Sequence, residues 1–97
     1  MKLVWGRYAL EDRRAIFEYL ESRDPAAAAD MDEMIETSVL NLRSYPNMGP
    51  RGRVDRTREL VIIGTPFIVA YVVMSDRVKL LRVLHGAREW PKWMPET

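Results

Sequence analysis

Residues 58–85, RELVIIGTPFIVAYVVMSDRVKLLRVLH, contain three runs rich in β-branched side chains, with turn-forming residues between them. The runs cover residues 59–63, 67–74 and 77–85. Short runs of this composition, separated by Gly, Pro, Ser and Asp, are typical of β-hairpins. The stretch therefore predicts three consecutive antiparallel strands.

The residues before this stretch predict one short strand at 2–5 and then two helices. Helical periodicity begins at about Tyr8. Asp24 is a preferred N-cap, and Pro25 is tolerated at the first helical position, so a second helix begins there. Two helices with so short a link are expected to lie antiparallel as a hairpin. The expected buried sides are Ala9, Ile16, Tyr19 and Leu20 in the first helix, and Ala28, Met31, Ile35, Ser38, Val39 and Leu42 in the second.

The element order is thus β-α-α-β-β-β, an α+β fold in which an antiparallel sheet packs against a two-helix hairpin. With 97 residues, the chain is expected to form one domain, residues 1–97. The absence of cysteine excludes a disulfide framework, a thiolate zinc site and a cysteine nucleophile. No membrane span is expected, since no apolar run approaches ~20 residues, and no signal peptide is expected, since charged residues follow Met1–Trp5 at once. We therefore expect a soluble, cytoplasmic protein.

The formal net charge of +1 is unevenly distributed along the chain. Residues 1–42 hold five basic and nine acidic side chains, whereas residues 43–97 hold ten basic and five acidic ones. Arginine, the main cation here, suits bidentate contacts with phosphate or carboxylate. The loop at 51–57 and its flank are the densest segment, and Arg51, Arg53, Arg56 and Arg58 are its candidates for phosphate contact. The same pattern also fits a solvated, flexible segment.

His85 is the only histidine and lies at the end of the last predicted strand. With an ordinary pKa of about 6.5 it could act as a general acid or base, or it could cap the strand end through backbone hydrogen bonds. Alternation predicts that Arg82 and His85 point to opposite faces unless a bulge intervenes. One predicted face carries Lys79, Leu81, Val83 and His85, and the other Val78, Leu80, Arg82 and Leu84. No metal site is expected, because there is no second histidine.

The last segment contains Trp90, Trp93 and Met94 at a spacing of three to four. On one helical turn they would form an apolar ridge, and exposed Trp is common in partner-binding hot spots. The alternative is a tail that folds over the edge of the sheet.

Three segments resemble toxins of the RelE/ParE superfamily: Arg58-Glu59-Leu60, FIVAYVV at 67–73, and RVLHGAREWP at 82–91. The resemblance covers nearly the whole chain. It implies the toxin half of a bacterial type II toxin–antitoxin module, with a role in plasmid stabilisation, no cofactor, and inactivation by a cognate antitoxin protein. It also implies two helices packed on a curved antiparallel sheet.

The superfamily divides by mechanism. RelE-like members cut mRNA on the ribosome, and in that case His85, Arg58 and Arg82 would be the catalytic residues. ParE-like members inhibit DNA gyrase without such a set. Ile68 stands where RelE-like toxins usually have arginine, and no tyrosine follows His85, so the resemblance favours the ParE-like function. Residues expected to contact the target are Arg51, Arg53, Arg56, Arg58, Arg88, Trp90 and Trp93.

The antitoxin is expected to present an acidic, amphipathic segment that folds on binding and covers the helical hairpin and a sheet edge. A non-toxic interaction domain with the same fold is a third alternative to the two toxin mechanisms. Harmless expression without any antitoxin would favour that alternative.

Overall fold

The computed structural model describes residues 1–94 of the chain. It confirms the α+β class and the order β-α-α-β-β-β. Local sequence signals predict most helix and strand boundaries to within a few residues, although the second strand begins and ends slightly earlier than predicted. The elements are β1 (Lys2–Trp5), α1 (Arg7–Glu21), α2 (Pro25–Leu40), a 3-10 turn (Asn41–Arg43), β2 (Arg58–Val61), β3 (Phe67–Val73) and β4 (Arg77–His85).

The helical hairpin forms where the sequence predicts it. The Asp24 carboxylate accepts a hydrogen bond of 3.2 Å from the Ala27 N–H, which caps the start of α2. Between the helices, the Arg13 guanidinium binds Asp32 at 2.6 Å and 3.0 Å and Glu36 at 2.6 Å. These charge-assisted hydrogen bonds hold α1 against α2 in addition to the apolar contacts.

The sheet has the strand order β1-β4-β3-β2. Strands β2, β3 and β4 form the predicted antiparallel meander. Strand β1, however, runs parallel to β4, so the sheet is mixed rather than wholly antiparallel. The alternation of apolar and polar residues indicates which side chains of a strand are buried, but not whether a strand from a distant part of the sequence pairs with it in parallel or antiparallel. No turn links β1 to β4, so the sequence pattern could not show that these two strands are parallel.

A β-bulge in β4 changes which of its residues share a face. Leu80 pairs with Tyr71 and Arg82 pairs with Ala70, which leaves Leu81 as the extra residue. Leu80 and Val83 therefore both belong to the helix-facing core, whereas Leu81 belongs to the opposite side. The predicted assignment of β4 residues to two faces is wrong for this reason.

Both faces of the sheet are covered. The helices cover one face, and the loop before β2 together with the C-terminal segment covers the other. Tyr19, which was predicted on the buried side of α1, is exposed and lies under the Arg23 guanidinium at 3.9 Å. The first core contains Ala9, Ile35, Val39, Leu42, Leu60, Ile62, Val69, Tyr71, Val78, Leu80 and Val83, and the second contains Val54, Ala70, Val72, Leu81 and Met94.

Crossing a bilayer requires a helix that is both long and apolar. Within residues 1–94, neither α1 nor α2 meets that requirement.

Candidate functional site

The basic loop at 51–57 is a folded turn with its own hydrogen bonds. The Gly52 N–H donates to the Thr57 carbonyl at 2.8 Å, and the Thr57 N–H and hydroxyl donate to the Val54 carbonyl at 3.2 Å and 2.6 Å. The side chains of Val54 and Thr57 are buried. Gly52 lies against Thr57 so closely that a Cβ at this position would collide with the threonine hydroxyl. The interpretation of this loop as a solvated, flexible segment does not match these contacts.

Arg53 is compensated by an internal carboxylate. Its guanidinium binds Glu59 through two contacts of 3.1 Å, and its backbone N–H donates to the same carboxylate at 2.7 Å. The guanidinium also stacks over the Trp90 ring at 3.7 Å. Arg53 therefore joins the loop to β2 and to the C-terminal segment.

Three other arginines converge on one side of the loop and form what we call the arginine groove. Arg58 reaches back to the preceding turn, where its Nη1 donates to the carbonyls of Gly49 at 2.7 Å and Asn47 at 3.3 Å. Within residues 1–94, no carboxylate lies within ion-pair distance of Arg51, Arg56 or Arg58. The groove has a volume of about 290 Å³ and is lined by Arg51, Gly52, Asp55, Arg56, Thr57, Arg58 and Val73.

Arg56 has a strained backbone. Its φ of 67° lies in the left-handed region, and among residues 1–94 it is the only residue other than glycine with a positive φ. This conformation costs an L-residue about 1–2 kcal/mol. The tight turn between Gly52 and Thr57 imposes it and places Arg56 at the groove.

His85 organises the start of the C-terminal segment. Its Nδ1 accepts a hydrogen bond of 3.2 Å from the Ala87 N–H, so the proton of the neutral ring is on Nε2. Its carbonyl accepts from the Trp90 indole at 3.1 Å and from the Arg88 N–H at 3.2 Å. The ring packs edge-to-face on Phe67. These contacts correspond to the capping alternative rather than to a base facing a partner residue.

Arg82 is bound by Asp12 of α1. The Asp12 carboxylate accepts from Arg82 Nε at 2.7 Å, from Arg82 Nη2 at 3.1 Å and from the Val83 N–H at 2.9 Å. The hydrogen bonds with Asp12 raise the pKa of Arg82 above its usual value, so this guanidinium stays charged and does not act as a general acid. The role of Asp12 could not be predicted from the sequence, because nothing local connects residues 70 positions apart.

The three residues expected to form a nuclease centre do not converge. Across β3, Arg58 lies opposite Tyr71 and His85 lies opposite Phe67. Four residues along a strand and two strand spacings separate their backbones by roughly 15 Å or more. Arg82, in turn, is occupied by Asp12.

The C-terminal segment lies on the sheet, as the second alternative for it proposed. Trp90 and Met94 pack in the second core, whereas Trp93 is 71% exposed. The predicted ridge of Trp90, Trp93 and Met94 is therefore wrong, because no helix forms there. Arg88 is exposed beside His85 and has no ion pair within residues 1–94.

The surface that contains the arginine groove is suited to binding anions. Arginine side chains remain charged at any ordinary pH and offer planar, forked donors. Across residues 1–94, no three His, Asp or Glu side chains come close enough together to hold a metal ion. The surface therefore offers positive charge and apolar contact.

Comparison with known proteins shows the family. Residues 3–90 match the family model described as the ParE toxin of the type II toxin–antitoxin system parDE. The protein Y4kP of Sinorhizobium fredii is 38% identical over 91 residues, which cover 94% of each chain. Toxin RelE2 of Caulobacter vibrioides is 34% identical over 87 residues, covering 90% of this chain and 97% of the relative.

The fold is also found in a solved structure. One chain of the chromosomal ParDE TA system from P. aeruginosa superimposes with a TM-score of 0.78 at 27% identity, covering 86% of this chain and 92% of that chain. A family match over residues 3–90, together with this structural agreement, covers both helices and all four strands. The chain therefore belongs to the ParE toxin family of type II toxin–antitoxin systems.

Proposed function

We propose that this toxin acts in the cytoplasm by binding and inhibiting DNA gyrase, with no chemistry of its own. The arginine groove and the exposed Trp93 supply the contact surface. Arg88, which is exposed and unpaired within residues 1–94, extends this surface past His85. Arg53 and Trp90 act indirectly, because they hold the loop and the C-terminal segment in place.

The observation that carries this proposal is the separation of Arg58 from His85, together with the pairing of Arg82 with Asp12. Cleavage of RNA by its own 2′-oxygen needs a proton to be removed while charge on the phosphate is stabilised. Both tasks must be carried out within a few ångströms of one phosphorus atom. Here His85 Nδ1 is engaged by the Ala87 N–H and Arg82 by Asp12, so neither is directed at a shared position.

A supercoiling assay tests the proposal. Purified toxin at increasing ratios to gyrase should block the supercoiling of relaxed plasmid. The His85→Ala variant should still block it, since the His85 side chain supports the C-terminal segment through Ala87 and Phe67 but performs no chemistry on the target. Full gyrase activity at a large excess of folded toxin would refute the proposal.

The second candidate function is a ribosome-dependent mRNA interferase. The observation that favours it is the arginine groove, whose three cations have no carboxylate partner within residues 1–94. Under this alternative, His85→Ala and Arg58→Ala should each abolish cleavage of mRNA on translating ribosomes. Full cleavage by both variants would exclude these residues as the catalytic pair.

A toxin of such a module has a cognate antitoxin as its partner. We propose that the antitoxin covers the far end of the β2 edge, where the Val61 and Ile63 side chains are exposed. This end lies beyond Arg58 and Glu59, whose edge pairs with the Pro50–Arg51 backbone. The acidic part of the antitoxin would be repelled by α2, because α2 has acidic side chains and no basic one. The acidic residues of α2 are Asp30, Asp32, Glu33 and Glu36.

A further inference from the structure

The arginine groove holds an excess of positive charge that residues 1–94 do not neutralise. Among these residues, Asp55 is the one acidic residue that lines the groove, against three arginines. The nearby carboxylate of Glu59 is committed to Arg53. Positive charges placed together without internal partners create a potential that attracts an anion.

Part of this groove is already ordered for binding. Arg58 donates through Nη1 to two carbonyls, which fixes the direction of its guanidinium. No hydrogen bond within residues 1–94 uses its Nε or Nη2. A guanidinium fixed in this way loses less rotational freedom when it binds a ligand.

Arg56 gives a second, independent indication. Its left-handed backbone would suit glycine or asparagine, yet the position carries a long cation that makes no ion pair within residues 1–94. Strain that persists in a folded turn is a recognised sign of function. Here the strain places a third charge beside Arg51 and Arg58.

The lining distinguishes between ligands. Among the residues that the structure describes, no aromatic side chain lines the groove, so they offer nothing on which a base could stack. Val73 is the one apolar side chain among them, which leaves little to hold the anchor residue of a peptide. Closely spaced arginines without stacking or apolar partners fit a phosphodiester backbone better than a base or an acidic peptide.

We propose that the arginine groove binds the phosphate backbone of nucleic acid directly and without regard to sequence. This proposal rests on the proposed function in that the DNA held by gyrase would be its natural source of phosphates. It goes beyond that function because the contact is with DNA itself and needs no gyrase.

The test is binding of purified toxin to a labelled DNA duplex of random sequence, measured by fluorescence anisotropy across a salt series. Three phosphate contacts predict that log K falls with log[salt] at a slope of about −2.7. Replacing Arg51, Arg56 or Arg58 by Gln should each reduce the slope by about 0.9. The control Arg14→Gln removes an exposed arginine on α1 and should leave the slope unchanged.

Arg56→Gly separates binding from folding. It removes the charge and relieves the left-handed strain, so the melting temperature should stay equal or rise while the salt slope falls by about 0.9. A single-stranded RNA of equal length should bind with a slope of about −2.1 if the phosphates alone are recognised.

Three outcomes would overturn the proposal. They are a slope near zero, the same slope in Arg14→Gln and the groove variants, and competition by polyglutamate as effective as that by DNA of equal charge. A toxin that does not bind DNA but still inhibits supercoiling would overturn the DNA-binding proposal and leave the proposed function intact. Intact DNA binding with unaffected gyrase would support the groove and reject the proposed function.

Discussion

Tyr71 fixes the segment that leads into the arginine groove. Its hydroxyl accepts a hydrogen bond from the Gly49 N–H at 3.0 Å and donates to the Pro46 carbonyl at 2.8 Å. Gly49 is packed against it, and a Cβ at that position would lie 2.7 Å from the hydroxyl. Because Gly49 and Asn47 supply the carbonyls that orient Arg58, Tyr71 acts on the groove through the backbone.

Replacing Tyr71 with Phe should lower the free energy of unfolding by about 1–3 kcal/mol, since a buried N–H and a carbonyl lose their partner. Denaturant titration measures this change. The exposed Tyr45 is the control, and Tyr45→Phe should have no measurable effect. Equal stability of wild type and Tyr71→Phe would contradict the role assigned to this hydroxyl.

The same residue predicts an alkaline limit to stability. Burial raises the pKa of Tyr71 above its ordinary value of 10.0. A raised pKa in the folded state means that the stabilisation is fully present below pH 10 and is lost as the pH rises through the folded-state value. Tyr71→Phe should lack this loss, whereas Tyr45→Phe should retain it, as measured by unfolding between pH 8 and 12.

At the scale of elements, Asp12 connects α1 to the edge of β4 where β1 ends. Pairing between β1 and β4 stops at Leu80, and beyond that point the Val83 N–H donates to the Asp12 carboxylate at 2.9 Å. The Asp12 and Arg82 side chains are 19% and 26% exposed. A partly buried, bidentate pair of this kind contributes more than a surface ion pair.

Asp12→Asn should lower the free energy of unfolding by about 1.5–3 kcal/mol, because Arg82 loses its carboxylate. Glu11→Gln is the neighbouring control. Glu11 pairs with Arg7 on the exposed side of α1, so this change should stay within about 0.5 kcal/mol. Similar losses in both variants would show that the Asp12 pair has no special role.

The far end of the β2 edge, near Val61, yields a prediction about the antitoxin. Ile63 is 85% exposed beside this edge, so Ile63→Lys should leave folding intact. A lysine at a sheet edge opposes the addition of another strand, so binding of the cognate antitoxin should weaken at least about tenfold. Leu10→Lys, at an exposed position on α1 and away from β2, is the control. Unchanged affinity of Ile63→Lys in calorimetry would place the antitoxin elsewhere.

Local signals explain how much of the fold could be predicted. The Asp24 cap, the prolines and the β-branched runs act over a few residues, and the elements they predict are found. The bulge at Leu81 and the parallel pairing of β1 depend on packing between distant residues.

The sequence shows that arginines are dense in the second half of the chain, but it does not show which of them pair with a carboxylate. Glu59 binds Arg53 and Asp12 binds Arg82, and only folding brings the two members of each pair together.

At the scale of the whole molecule, we propose that residues 1–97 form one cooperative domain. Strand β3 supplies Val69 and Tyr71 to the first core and Ala70 and Val72 to the second, so neither core survives loss of the sheet. Calorimetry should give one transition with equal calorimetric and van't Hoff enthalpies, of about 70 kcal/mol. Two resolved transitions would contradict a single domain.

We propose that this toxin disables a large cellular machine by binding, through cations that have no carboxylate partner within residues 1–94. Induced expression without antitoxin, with the arrested cells scored for mRNA cleavage and for DNA damage, tests it most directly. We predict growth arrest with DNA damage and intact mRNA for wild type and His85→Ala, and no arrest when Arg51, Arg56 and Arg58 are all replaced by Gln. Arrest accompanied by mRNA cut within codons, and lost in His85→Ala, would contradict the claim.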